Sequence, residues 1–343
     1  MAAALCLPSG AMAQYVDVLE RPAQNSARAA SALLNGLALA GARLVAVGQR
    51  GHILYSDDSG LSWRQARVPV SSDLTAVHFP SESRGWAVGH DGVVLHSEDG
   101  GVSWQLQLDG MRAIRIMENY YRNLPQQAIS PDEAAKLTAD LAQFAAEGPD
   151  KPFLDVWFEN EHTGFIVGAF GLIFRTEDGG RNWQPWYHRA DNPRGLHLYA
   201  LKPADGALYA TGEQGLVLKL DHATQRFRAL MTGYGGTYFG VIGSGNAVLV
   251  FGLRGNIHRS TDGGLNWRKV DASVLGNINA GSAAPDGSLY LVTQTGQILM
   301  SRDTGISFAV SAMETPMSAG AVAVQDQTLI LAGRRGVRTQ RLQ

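Results

Sequence analysis

A single cysteine, Cys6, stands in the whole chain, so no internal disulfide can hold the fold together. Lysine is almost as scarce, with 5 residues against 24 arginines. Charged side chains make up only 17% of the sequence, and the formal net charge is −2. That balance gives no broad basic face of the kind nucleic-acid binders carry, so no nucleic-acid partner is expected. No run of eighteen or more apolar residues occurs, which excludes a membrane-spanning helix in the mature form. The nine histidines show no metal-ligand spacing, and His90 and His96 fall on opposite sides of one strand pair. Neither a metal nor another cofactor is expected.

Glycine, by contrast, is abundant, with 40 residues. Much of it sits in one recurring sentence: "VAVGQRGHILYSDDSGLSW" (45–63), "WAVGHDGVVLHSEDGGVSW" (86–104), "FIVGAFGLIFRTEDGGRNW" (165–183) and "LVFGLRGNIHRSTDGGLNW" (249–267). A weaker copy is "YLVTQTGQILMSRDTGISF" (290–308), and "YATGEQGLVLKLD" (209–221) and "ILAGRRGVRTQRL" (330–342) keep only the front half. The first glycine or its substitute is Gly48, Gly89, Gly168, Gly212, Gly252, Thr293 and Gly333, at intervals of 41, 79, 44, 40, 41 and 40. Seven copies near a forty-residue period, each made of short alternating strands, predict an all-β, seven-bladed β-propeller over 14–343.

Blade two shows the plan: "LTAVHF" (74–79), "GWAVG" (85–89), "VVLHS" (93–97) and "VSWQLQL" (102–108), separated by turn residues. The doubled interval is filled by 109–150, where "MRAIRIMENYYRNL" and "SPDEAAKLTADLAQFAAEG" have helical spacing. Ser130 as N-cap, Pro131 at the first helical position and Glu133 three residues on form a capping box, with Gly148 as the stop. A helical hairpin inserted between blades two and three is predicted. Its Met111, Ile114 and Met117, beside Arg112, Arg115 and Arg122, leave two readings open: packing on the propeller, or contact with a membrane surface or partner helix. The last copy ends before a fourth strand, and "QYVDVLE" (14–20) alternates in a way that could supply it, closing the ring and removing an exposed edge.

The start, "MAAALCLPSGAMAQ", has an apolar core and Ala11-Met12-Ala13 ahead of Gln14, which reads as the remnant of a secretory signal peptide over 1–13. Leu5 precedes Cys6 where a lipid-attachment motif needs a small residue. A periplasmic location is the expectation.

The back half of the repeat is Ser/Thr-x-Asp-x-Gly-x-x-Trp. The copies are Ser56, Asp58, Gly60, Trp63; Ser97, Asp99, Gly101, Trp104; Thr176, Asp178, Gly180, Trp183; Ser260, Asp262, Gly264, Trp267; and Ser301, Asp303, Gly305, Phe308. Hydroxyl and carboxylate can bond hairpin N–H groups, glycine takes a positive φ, and the aromatic ring covers the turn. These carboxylates are therefore expected to be architectural, and no catalytic residue is assigned. They also lack the alternating ligands and closing Glu of a calcium loop.

The motif resembles the Asp-box, or BNR repeat, shared by sialidases and unrelated propellers. That likeness raises a sialidase-like glycoside hydrolase or a carbohydrate-binding propeller as the alternative. The hydrolase is disfavoured because "IRIM" (114–117) lies in the helical insert without the proline of the sialidase arginine element, and Asp91 and Glu213 alone establish no catalytic pair. The longer pattern VGxxGxIxxSxDGGxxW resembles the photosystem II stability/assembly factor-like family over about 31–343, the insert excepted. The resemblance implies an exported, non-enzymatic propeller that binds a protein partner in a membrane or envelope complex. On the face opposite the boxes, the turns between second and third strands would carry Arg50, Arg254, Arg334 and Arg335. Guanidinium groups there suit carboxylate or phosphate groups on an anionic partner.

Overall fold

The computed structural model describes residues 16–125, 128–313, 317–325 and 327–342. Alternating polarity sets the innermost strand of each blade: Leu34–Ala40, Leu74–His78, Phe153–Phe158, Leu198–Ala204, Tyr238–Ser244, Ile278–Ala283 and Ala319–Gln325. One side of each packs between blades while the other lines a central channel. Second strands such as Gly85–Gly89, Gly164–Gly168 and Ala247–Gly252 are buried along their whole length, because a neighbouring blade covers each face. Six blades are four-stranded antiparallel sheets in simple sequence order, and the seventh has three strands among the described residues. Each innermost strand touches the next around the circle, and Ala319–Gln325 touches Leu34–Ala40. The chain is a seven-bladed β-propeller.

The first glycine of each repeat is explained by close approach. A Cβ on Gly48 would lie 2.2 Å from the Leu33 carbonyl oxygen, and one on Gly89 2.2 Å from that of Asp73. At that point the chain enters the innermost strand, and the N–H of the next residue, Gln49 or His90, donates to the same carbonyl.

The ring does not close as the sequence suggested. The described part of the 14–20 segment lies against blade one, not blade seven: Ser71 N–H donates to the Val18 carbonyl at 2.8 Å. Residues 14 and 15, like 1–13, lie outside the described residues. The alternating stretch curls instead of extending, because the Asp17 side chain accepts the Leu19 N–H and its carbonyl accepts the Glu20 N–H. Blades seven and one are joined by packing of their innermost strands and by Gln325 Nε2 donating to the Ala42 carbonyl at 2.8 Å.

Between blades two and three lie α1 (Gly110–Arg122) and α2 (Pro131–Glu147). Asp109 caps α1; Ser130 and Glu133 form the reciprocal box on α2, with Pro131 in its first turn and Gly148 at its end. Ala113 and Met117 of α1 and Leu137, Leu141 and Phe144 of α2 join one core with Trp86, Phe153, Phe158 and Phe174 of blades two and three. Met111 stays exposed, as do Arg112, Arg115 and Arg122. The apolar stripe thus faces the propeller, which is the packing reading of the two left open by the sequence. Among the described residues no helix is long and apolar enough to cross a membrane.

Candidate functional site

The boxes form one face of the disc and resolve into a closed hydrogen-bond circuit. In blade one, Ser56 Oγ donates to Asp58 Oδ1 at 2.7 Å and accepts the Gly60 N–H at 2.9 Å. Trp63 Nε1 returns to the Gly60 carbonyl at 3.1 Å. Sequence reasoning missed one member. Ser62 donates its N–H to Asp58 Oδ1 and its hydroxyl to Oδ2; Ser103 and Ser307 do the same in their boxes, and Asn182 and Asn266 donate their N–H and side-chain amide in theirs. The signal was present, since every copy has Ser or Asn immediately before the aromatic residue. These bonds, led by Ser62, hold the Asp58 carboxyl down at about 2, and those from Asn266 hold Asp262 at about 2. Both oxygens of each carboxylate are already engaged, which is the geometry of a brace.

The opposite face carries the turns between second and third strands. In blade one, Arg50 (φ 57°, ψ 31°) and Gly51 (φ 69°) are consecutive left-handed residues, and His52 N–H closes onto the Gln49 carbonyl: a type I′ hairpin turn. Asp91, Phe170, Gln214 and Arg254 occupy the same left-handed position with φ between 53° and 57°. A side chain other than Gly, Asn or Asp is strained there by about 1–2 kcal/mol, so Arg50, Phe170, Gln214 and Arg254 are held against local preference. Arg50, Arg254, Arg334 and Arg335 are all exposed, and their guanidinium groups make no ion pair among the described residues. The carbonyls of Ala30 and Leu33, on one short segment, abut Gly336 and Gly48. That segment puts the Arg50 turn beside the Arg334–Arg335 turn, while Arg254 stands apart on blade five.

Inside this rim opens the channel, a cavity of about 430 Å³. Every innermost strand begins with a β-bulge, so the residue after its first pairing position is left out of the ladder. Those residues are Asn35, Thr75, Leu154, Tyr199, Phe239, Asn279 and Gly320, and all line the cavity. Deeper in the wall, the buried Asp155 carboxylate accepts Lys202 Nζ at 2.6 and 2.7 Å, the Leu201 N–H and the Val156 N–H. The aromatic residues of "WYHR" (186–189) and "GYGGTYFG" (233–240) divide. Trp186 and Tyr238 are core, whereas Phe239 reaches the channel.

The family profile described as photosynthesis system II assembly factor YCF48 matches residues 39–114 and 143–309. The chain belongs to this family. The YCF48 family is one of assembly factors, not of enzymes, which argues against the hydrolase alternative. The photosystem II assembly lipoprotein Ycf48 of Prochlorococcus marinus is 27% identical over 183 residues, 52% of this chain and 51% of that protein. Its counterpart in Trichormus variabilis is 28% identical over 163 residues, 44% and 46% of the two chains. This chain spans about half the length of these curated relatives. A structure of YCF48 bound to a D1 peptide superposes with a TM-score of 0.65 at 16% identity, covering 92% of this chain and 94% of that one. YCF48 from Cyanidioschyzon merolae gives a TM-score of 0.62 at 15% identity, covering 94% and 98%. Most of α1 and α2, residues 115–142, falls between the two segments of the family match.

Proposed function

We propose that the chain is an exported, periplasmic protein-binding propeller that serves as an assembly or stability factor for a membrane or envelope complex, with no covalent step. The observation that carries this reading is the turn face: exposed arginines without ion pairs, two of them at strained tips, around an open channel mouth. Strained backbone clusters at ligand-binding sites. Family membership supports an assembly role, and the relative seen with a D1 peptide supports a segment of a membrane-protein subunit as the class of partner. The relatives named lipoproteins support an extracytoplasmic site. Arg50, Arg254, Arg334 and Arg335 would meet carboxylates of that partner.

Affinity capture from envelope extract tests the reading, with wild type set against Arg50→Glu/Arg335→Glu. Loss of two charge-assisted contacts at about 1.5–3 kcal/mol each should cut recovery of specific partners at least tenfold. Equal recovery by both proteins would remove the arginine face from the mechanism.

A further inference from the structure

Six of the seven bulged residues at the channel mouth fall into two arcs; the seventh, Gly320 of blade seven, has no side chain. In blades one, two and six the side chain fastens its blade to the next. Asn35 Nδ2 donates to the Leu74 carbonyl at 2.8 Å, Thr75 Oγ1 to that of Phe153 at 2.7 Å, and Asn279 Nδ2 to that of Ala319 at 3.5 Å. Each acceptor is the residue just before the bulge of the following blade. In blades three, four and five the same position holds Leu154, Tyr199 and Phe239, half-buried in the cavity wall. Leucine and phenylalanine cannot make that bond at all. A half-exposed ring beside an open channel gains only part of the burial a core position offers. Folding alone therefore gives little reason for three large, mainly apolar residues in succession.

The arc continues outward. Phe239 lies 5.7 Å from Tyr199 between ring centroids, Tyr199 6.3 Å from His197, and His197 4.9 Å from Phe170, which is 39% exposed. Met231 and Leu275, 85% and 98% exposed, stand on the connections that lead into blades five and six. Across the mouth stand Arg50, Arg334 and Arg335 on blades one and seven. One side of the opening is thus mainly apolar, with Arg254 on its blade-five turn, and the other carries Arg50, Arg334 and Arg335.

We propose that this mouth takes an extended segment of a partner protein, one large apolar or aromatic side chain entering the channel against Tyr199 and Phe239 while flanking carboxylates meet the arginines opposite. The inference rests on the protein-binding reading above and names the chemistry of the segment bound. A cavity of about 430 Å³ lies within the range that seats small ligands, roughly 300–1,000 Å³, so it admits side chains but no folded domain. The track from Phe170 to Phe239 spans at most about five residues of extended chain at roughly 3.3 Å each. The unpaired arginines supply the charge complementarity that selects acidic flanks.

A displayed library of random seven-residue peptides reads this directly without the native client. Selection on wild type, and on Leu61→Ser/Leu265→Ser on the box face, should enrich peptides that pair a large apolar or aromatic residue with Asp or Glu. Tyr199→Asn/Phe239→Asn, which copies Asn35, should bind the winners at least about tenfold more weakly while keeping its near-ultraviolet circular dichroism. If that exchange unfolds the chain, Leu154→Thr, which copies Thr75, takes its place with the same expectation. No enrichment, winners without the apolar–acidic pairing, or equal binding by the channel variants would overturn the proposal. Envelope capture that is lost on reversing the arginines but indifferent to Tyr199→Asn/Phe239→Asn would also overturn it, leaving the broader reading in place. Failed capture alongside successful selection would do the reverse.

Discussion

Blades one, two and six are stitched to their neighbours at the channel mouth by Asn35, Thr75 and Asn279; blades three, four and five are not. The second group is held by other means. Asp155 of blade three ties to Leu201 and Lys202 of blade four lower in the channel, and Phe165 packs edge-on against Trp186 and Phe227 at 5.2 and 5.6 Å. Blade three is further covered by α1 and α2, whose Phe144 and Met117 enter the same core as Phe153 and Phe174. Relocating the fastening from the rim to the interior frees the rim positions of that arc. A propeller can thus vary one residue per blade at its mouth without changing the blade.

The largest effect that would sharpen this contrast comes from two phenylalanines exchanged alike. Phe144 is 5% exposed inside the core shared by the helices and blade three, so Phe144→Ala should cost about 3–5 kcal/mol. Phe239 is half-buried beside an open channel, and Phe239→Ala should cost no more than about 2 kcal/mol. Urea unfolding of the two variants measures the difference. Equal losses would mean that Phe239 is core after all and that the apolar arc is architecture.

How much of this was legible beforehand follows from how local each feature is. The Ser97–Asp99–Gly101–Trp104 brace and the Ser130–Glu133 cap close within a few residues, so spacing alone revealed them. The bulge ring was hidden because a bulge is defined by register against a partner strand: Leu74 pairs with Gly89 and Ala76 with Val88, which leaves Thr75 out. No residue type marks it, since Asn, Thr, Leu, Tyr, Phe and Gly all serve. The fate of 16–20 was misread for a related reason. Its alternation fits a strand, but Asp17 can instead close a turn on Leu19, and which wins depends on where Ser71 lies. The arginines on the turn tips were placed correctly because each copy of the repeat fixes its own turn.

A smaller effect tests the stitched arc. Asn35→Ala removes one hydrogen bond between blades one and two at a half-buried site, and should lower stability by about 1 kcal/mol. Hydrogen exchange should locate the loss at Leu34–Ala40 and Leu74–His78. If protection falls uniformly around the ring, the stitches act cooperatively and the two arcs are not independent.

A further contrast is a difference in pH dependence between blades two and three and the box face. His78 accepts the Phe158 N–H on Nδ1 across the blade two–three seam, and burial pushes its pKa from 6.5 down to about 3. His188, under the helices, is lowered to about 4, first by burial and then by Arg189 and Arg226. Both are neutral in the fold and protonate more readily when unfolded. Their contribution is therefore whole above pH 6.5 and erodes as pH falls from there, toward 4 for His188 and toward 3 for His78. The box carboxylates behave otherwise. Asp58 and Asp262, held at about 2 by their hydrogen bonds, contribute fully above their ordinary 3.8 and lose that contribution only as pH drops from 3.8 toward 2. Urea midpoints should accordingly fall in two stages, the first in blades two and three. His78→Gln should flatten the slope between pH 6.5 and 3 and leave the slope below pH 3 untouched; an unchanged upper slope would show that the seam histidine does not set it.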